Sequence, residues 1–200
     1  ARGEARLAEG AGQAKAAGAP VVATFGCDIR DRKAVDAAFA AAHATLGDFT
    51  GLVANSGIGG PNVDGPEDRF DDIVQTNLMG TYYCLRAAQR HLSEGPEARH
   101  LVAIASILGR FGVPGYTGYC ASKTAILGLV RALALEVAAD GIAVNAICPG
   151  WVATDMAWEG IDGMAEAIGV TREEAHAIAM KQVPAGRMSQ PEEVAGVVHW

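Results

Sequence analysis

Positive charge is in short supply. The chain has 16 Lys and Arg against 23 Asp and Glu, a net charge of −7, which argues against a general binder of nucleic acid or anionic membrane, since such proteins carry a basic face. Long apolar runs are missing too. None approaches the ~18 residues of a membrane span, and no secretory leader is visible. The 4 cysteines, Cys27, Cys84, Cys120 and Cys148, are far apart and never form a C-x-x-C pair. That disfavours zinc and redox-motif readings and suits free thiols in a reducing cytoplasm. The 5 histidines, His43, His91, His100, His176 and His199, are scattered and form no H-E-x-x-H pair, so no metal site is expected. The expectation is a cytoplasmic protein with neither nucleic acid nor membrane as partner.

What is present is enough apolar residue, 50% of 200, for one domain with a sizeable core. Short apolar runs alternate with longer helical stretches, the pattern of repeated β-α units around a parallel sheet. Strands are expected at Pro20–Phe25, Gly51–Ala54 (short and buried), Arg99–Ala105 and Ile142–Ile147. Helices are expected at Asp31–Leu46, Glu67–Leu92 and Tyr116–Ala139, with a last one starting near Ser189-Gln190-Pro191-Glu192. Ala11–Ala19 reads as a helix end and turn. Right-handed crossovers make this a doubly wound sheet, where ligands gather outside the carboxyl ends of the strands. Asp28, Asn55, Ser106 and Pro149-Gly150 all fall just past strand ends.

Tyr119 is followed four residues later by Lys123, and Ser106 lies thirteen residues before the tyrosine. Four residues is just over one helical turn, so Tyr119 and Lys123 share a helix face. An ammonium beside a phenol favours the phenolate and moves the tyrosine from its usual pKa of about 10 towards working pH. A serine hydroxyl from a separate segment can then hold a carbonyl or alcohol oxygen. This equipment moves a proton on or off oxygen while a cofactor moves hydride. The alternative is an ordinary surface pair, against which the small residues around Tyr119 and Lys123 speak.

Four further features carry two readings each. Asn77 falls on the apolar stripe of its helix with Phe70, Ile73, Val74, Thr81 and Cys84, so an amide faces the core. It is either bonded to backbone or holds a water linking Lys123 to solvent. The stretch Asn55–Gly60 is either a plain turn or a place where a flat ligand meets backbone. Asp28 either caps the next helix or accepts from an adenine amino group. Pro149-Gly150-Trp151-Val152-Ala153-Thr154 either turns the chain or presents backbone and a hydroxyl to a cofactor amide.

Taken together, Cys27-Asp28-Ile29, Asn55-Ser56-Gly57, Asn77, Ser106, Tyr119-Cys120-Ala121-Ser122-Lys123, Asn145 to Gly150 with Thr154, and Gly186 to Ala195 resemble the short-chain dehydrogenase/reductase family in its standard-length branch. The resemblance runs through most of the chain. It implies an α/β fold, a Rossmann-like three-layer α/β/α sandwich on a doubly wound parallel sheet. It also implies a catalytic tetrad: Tyr119 as acid or base, Lys123 lowering its pKa and holding the nicotinamide ribose, Ser106 positioning substrate oxygen, and Asn77 keeping a relay water. Asp28 and Ile29 would flank the adenine, Asn55, Ser56 and Gly57 would line the cofactor, and Pro149, Gly150, Val152 and Thr154 would hold its carboxamide.

Two departures stand out. The family's paired asparagines appear here as Ala54-Asn55, followed by Ser56-Gly57. The family's opening strand and Thr-Gly-x-x-x-Gly-x-Gly loop are absent, so the expectation is one domain over 1–200 lacking the first two strands and the last strand, truncated at both ends. Ala1-Arg2-Gly3 resembles the end of the second strand, where Arg2 leans towards NADP over NAD. The segment 154–188 would be a substrate lid, apolar through Met156, Trp158, Ile161, Met164, Ile168 and Met180. The resemblance is strongest to 3-oxoacyl thioester reductases and related alcohol dehydrogenases. It implies an NAD(P)-dependent oxidoreductase acting on a hydrophobic secondary alcohol or ketone, and a homotetramer. A non-catalytic cofactor-binding sensor or scaffold of the same fold, or an enoyl reductase using Tyr116, remains the alternative.

Overall fold

Three strands pair in parallel in the order β1-β2-β3: Gly51–Ala54, Arg99–Ile104 and Ile142–Ile147. Leu52 lies opposite Leu101, and Leu101 opposite Val144. These pairings come from a computed structural model that describes residues 3–95 and 97–199. Helices fill the connections: α1 (Glu4–Ala16), α2 (Arg32–Leu46), α3 (Phe70–Val74), α4 (Thr81–Gln89), α5 (Thr117–Glu136), α6 (Asp155–Ile168), α7 (Arg172–Met180) and α8 (Pro191–His199). The architecture is a Rossmann-like three-layer α/β/α arrangement.

Local chemistry explains three of the helix starts. Asp31 caps α2 by accepting from Lys33 N and Ala34 N at 2.8 and 3.2 Å, and Thr171 with Glu174 forms a capping box on α7. At α8, the Glu193 carboxylate reaches back to Gln190 N at 2.7 Å. Between α3 and α4 the backbone widens into a π-helical turn, Gln75–Gly80. This turn replaces the unbroken α-helix expected over 67–92, and its buried members are Thr76, Asn77 and Gly80.

The main core gathers Leu85 and Ala88 of α4, Leu101 and Ala103 of β2, Val144 of β3, and Ile126, Val130 and Leu133 of α5. Each fully buried Leu or Ile there contributes about 1.5–3 kcal/mol. A second core forms between α6 and α7 around Ile161, Ala165, Ala175 and Met180. No residue of α1 or α8 is buried.

Three expectations need correction. Pro20–Phe25 forms no strand: residues 20–28 are irregular, with no ladder partner beside them among the described residues. A strand is defined by its neighbour, so an apolar run alone does not make one. For the same reason β1 is not buried. It pairs only with β2 among the described strands, and Gly51 and Val53 are exposed while Ala54 is buried. Its free edge faces an apolar cleft of ≈ 270 Å³ lined in part by Phe25, Cys27, Ile29, Asn55 and Ser56. Finally, one helix is long and apolar enough by composition to cross a membrane, Thr117–Glu136. It carries Lys123 and packs Ile126, Val130 and Leu133 into the main core.

Candidate active site

The end of β2 and the first turns of α5 bring the chemistry together. Ile104 ends β2, and Ser106 follows, 7% exposed, with its hydroxyl accepting from Leu108 N at 3.1 Å. Tyr119 and Lys123 lie on one face of α5, as their spacing requires. The Ser106 side chain is close enough to the Tyr119 phenol to favour its ionised form, so the two groups face each other although they come from different segments. Lys123 Nζ sits 5.6 Å from the centre of the tyrosine ring and donates to Ile104 O at 2.9 Å. Serine, tyrosine and lysine therefore converge.

Burial governs the charges here. It raises the Tyr119 phenol above its ordinary pKa, while the hydrogen bond from Ser106 pulls the other way. The net direction is the reverse of the lowering expected from Lys123. The ammonium is turned to a backbone carbonyl, and its own pKa is pushed down to about 8 by desolvation. At neutral pH it is still a cation.

Asn77 is fully buried in the π-turn. Its Oδ1 accepts from Ile58 N at 2.8 Å, and its Nδ2 donates to Ile58 O at 2.9 Å and to Ser122 Oγ at 3.1 Å. The amide thus does the work of a neighbouring strand for Ile58, the backbone-bonded reading of this residue. It holds the glycine-rich loop against the lysine. A Cβ on Gly57 would meet Asn77 Oδ1 at 3.1 Å and Lys123 Nζ at 3.5 Å. A Cβ on Gly59 would meet Met156 Sδ at 3.2 Å and Tyr119 Cε2 at 3.9 Å.

The remaining expected residues are distributed around this centre. Pro149 O accepts from Ile107 N at 2.9 Å, which sets the 149–154 loop beside Ser106. Gly150 is exposed, and a Cβ there would meet nothing within 4 Å. Val152 bridges to Ser189, and the Thr154 hydroxyl donates to Val152 O at 3.3 Å. Asn55 and Ser56 follow β1 and line the cleft. Ile29 packs on Gly80. Asp28 accepts from Arg30, whose guanidinium also pairs with Asp72 at 2.7 Å and so joins the loop to α3. Arg2 lies outside the described residues.

The segment 154–188, expected to form a lid, comprises α6 and α7. Of its apolar residues, Ile161 and Met180 are buried in the second core, with Trp158 and Met164 packed against it. Met156 borders Gly59, as the Tyr119 ring does, so much of that apolar character serves packing. Nothing in the sequence pointed to Ser122 as the partner of Asn77, nor to Asn62. Asn62 accepts from Gly118 N at 2.8 Å from a loop 56 residues away. No local motif signals such a contact.

Comparison with known proteins agrees with this geometry. The family model described as Enoyl-(Acyl carrier protein) reductase matches residues 2–200. A 3-oxoacyl-(acyl-carrier-protein) reductase of Haemophilus influenzae is 33% identical over 173 residues, covering 86% of this chain and 66% of the relative. A protein of Xanthobacter autotrophicus named inactive 2-(S)-hydroxypropyl-CoM dehydrogenase 2 is 36% identical, covering 85% of this chain and 72% of its own length. Among solved structures, an actinorhodin polyketide ketoreductase crystallised with NADPH matches with a TM-score of 0.89 at 33% identity, over 99% of this chain and 77% of that one. The chain thus spans two thirds to three quarters of the length of these relatives.

Proposed function

The chain belongs to the short-chain dehydrogenase/reductase family, and from that premise we propose that it interconverts a secondary alcohol and its ketone with NADP or NAD, Tyr119 serving as general acid and base. The observation that carries this is the meeting of Ser106, Tyr119 and Lys123. A bound nicotinamide would supply or take the hydride. The residues present fit such a group: Gly150 leaves exposed backbone with open space around it, and Lys123 offers an ammonium at neutral pH.

In the reducing direction the raised Tyr119 phenol donates its proton to the substrate oxygen. Ser106 steadies that oxygen and the phenolate left behind, and the Lys123 charge adds to this stabilisation. Water beside Lys123 and Asn77 would return the proton from solvent. Asn55, Ser56, Asp28 and Ile29 on one side, and Pro149, Gly150, Val152 and Thr154 on the other, are the proposed cofactor contacts. The NADPH of the ketoreductase neighbour favours NADP.

The names of the relatives favour a 3-oxoacyl or related β-keto substrate, and Met156 beside Tyr119 suits an apolar one. A cytoplasmic homotetramer belongs to the same reading, and the four free thiols suit a reducing compartment.

Because one relative is named inactive, family membership alone does not establish turnover, and a non-catalytic cofactor-binding protein is the competing reading. The enoyl alternative is disfavoured because Ser106 and Lys123 gather around Tyr119. The test is a panel of ketones, alcohols and enoyl thioesters with both cofactors on the full-length protein, alongside Tyr119→Phe. Ketone reduction that vanishes in the variant while cofactor still binds supports the reading. Turnover that survives the substitution, or reduction of enoyl substrates dependent on Tyr116, refutes it.

A further inference from the structure

The first turn of α5, which carries Tyr119, begins without a side-chain cap of its own: Tyr116 occupies the cap position and makes no such bond. Four backbone N–H groups at a helix start need partners. Here the partner comes from across the site. Asn62 Oδ1 accepts from Gly118 N at 2.8 Å, and Asn62 N donates to Gly115 O at 2.6 Å. Asn62 therefore grips both sides of the 115–118 turn.

The same side chain reaches the other way. Asn62 Nδ2 donates to Asp68 Oδ1 at 2.7 Å, and that oxygen also accepts from Phe70 N at 3.2 Å, at the start of α3. Phe70 in turn lies over Gly118: a Cβ on Gly118 would meet Phe70 Cα at 3.2 Å and Asn62 Oδ1 at 3.0 Å. Two side chains thus form a strut between the first turns of α3 and α5. Its loop is pinned again nearer the centre, where Arg69 Nη1 donates to Gly59 O at 3.2 Å. Gly59 is the residue over which Met156 and Tyr119 meet.

We propose that Asn62 is a positioning residue for the general acid, setting Tyr119 against Ser106 through Gly118 with Asp68 as its anchor. This rests on the assignment of Tyr119 above. The residue touches neither substrate nor reacting atoms. Misplacing a catalytic group by about 1 Å lowers turnover by about 100-fold, so the effect should fall on kcat more than on affinity.

The test uses four full-length proteins: Asn62→Leu, Asn62→Asp, the exchange Asn62→Asp with Asp68→Asn, and Tyr119→Phe. Kinetics, cofactor affinity and thermal unfolding are measured for each. Asn62→Leu should lower kcat at least tenfold with KM and cofactor affinity within about twofold. Asn62→Asp sets two carboxylates against each other and should behave alike. The exchange keeps an acceptor for Gly118 and restores one donor between positions 62 and 68, so kcat should return to within about threefold. A loop staple with no catalytic bearing predicts otherwise: Asn62→Leu would stay within twofold of the parent kcat, or the folded exchange protein would remain as slow as Asn62→Asp. Either result overturns the inference. Turnover retained in Tyr119→Phe would instead refute the reading on which it rests. Should Asn62→Leu fail to fold, the comparison of Asn62→Asp with the exchange still decides.

Discussion

Asn77 satisfies both backbone groups of Ile58, accepting from its N–H at 2.8 Å and donating to its carbonyl at 2.9 Å. A side chain thereby takes the place of a missing ladder neighbour for a loop residue. Removing one partner of a buried hydrogen bond costs about 1–3 kcal/mol for the group left behind. Asn77→Ala abandons Ile58 N and O together, so the variant should lose about 2–4 kcal/mol in urea unfolding. It should also loosen Gly57 and Gly59, seen as weaker cofactor binding. Unchanged stability would mean that water or a shifted backbone replaces the amide.

Lys123 ties stability to pH. Its pKa falls from 10.5 to about 8 on folding because the ammonium is desolvated. The unfolded chain therefore holds more protons than the folded one between these values. Stability rises with pH through that window, and the full cost, about 3 kcal/mol, is present below it. Lys123→Met should abolish turnover yet stabilise the protein at pH 7 by about 1–2 kcal/mol after loss of the bond to Ile104 O. The gain should shrink between pH 8 and 10.5. Denaturant titrations of both proteins across that range check this.

Activity should follow the same groups. Burial raises the Tyr119 phenol, so the proton needed for ketone reduction is in place throughout neutral pH. Reduction by the free enzyme, measured as kcat/KM, should stay level and then decline above about pH 8 as Lys123 loses its charge. Alcohol oxidation needs the phenolate and should rise with pH over the neutral range. A reduction profile that falls between pH 6 and 7 would point to another acid.

Two glycines separate backbone from side-chain crowding. A Cβ on Gly109 would lie 2.8 Å from Lys123 O and 3.0 Å from Lys123 C, atoms of the α5 backbone. A Cβ on Gly80 would lie 2.6 Å from Ile29 Cδ1, 2.7 Å from Cγ1 and 3.2 Å from Cβ, a β-branched side chain that would have to move as a whole. Overpacking costs about 1–3 kcal/mol when nothing yields, whereas Ala for Gly in a helix gains up to about 1 kcal/mol. Gly109→Ala should therefore cost at least about 2 kcal/mol and shift Lys123, with kcat falling. Gly80→Ala must displace a side chain but no backbone, and should cost about 1–2 kcal/mol, less than Gly109→Ala, with kcat little changed. Thermal unfolding of the pair decides it.

Gly59 reports on substrate shape. A Cβ there would crowd Met156 Sδ at 3.2 Å and the Tyr119 ring at 3.9 Å. Gly59→Ala should leave the unfolding midpoint nearly unchanged, since Met156 is exposed and can move. It should lower kcat/KM for branched ketones several-fold more than for unbranched ones. Equal losses across the panel would place the reacting carbonyl elsewhere.

The convergence of Ser106, Tyr119 and Lys123 was legible in the sequence because its parts are local. A four-residue helical spacing fixes one face, and a strand end fixes where the serine emerges. Contacts that depend on a distant neighbour were not legible. Pro20–Phe25 has the composition of a strand but needs a partner to become one, and β1 looked buried although one edge is open. The direction of the Tyr119 shift depended on where Lys123 points, which spacing does not encode. Asn62 gave no sign, because its tie to Gly118 spans 56 residues. Asn77 was visible as an anomaly on an apolar stripe, but its two bonds to Ile58 were not.

The widened turn at Gln75–Gly80 also limits which length changes the chain tolerates. Its six residues are wound more loosely than an α-helix, so deleting one within 75–80 would let the turn close into ordinary α-helix. The residues beyond it, Leu85 and Ala88 among them, would keep their direction toward the main core, while Asn77 inside the turn would lose its alignment with Ile58. Single-residue insertions and deletions should thus be far better tolerated in the exposed 63–67 loop than in the helical stretch just after it.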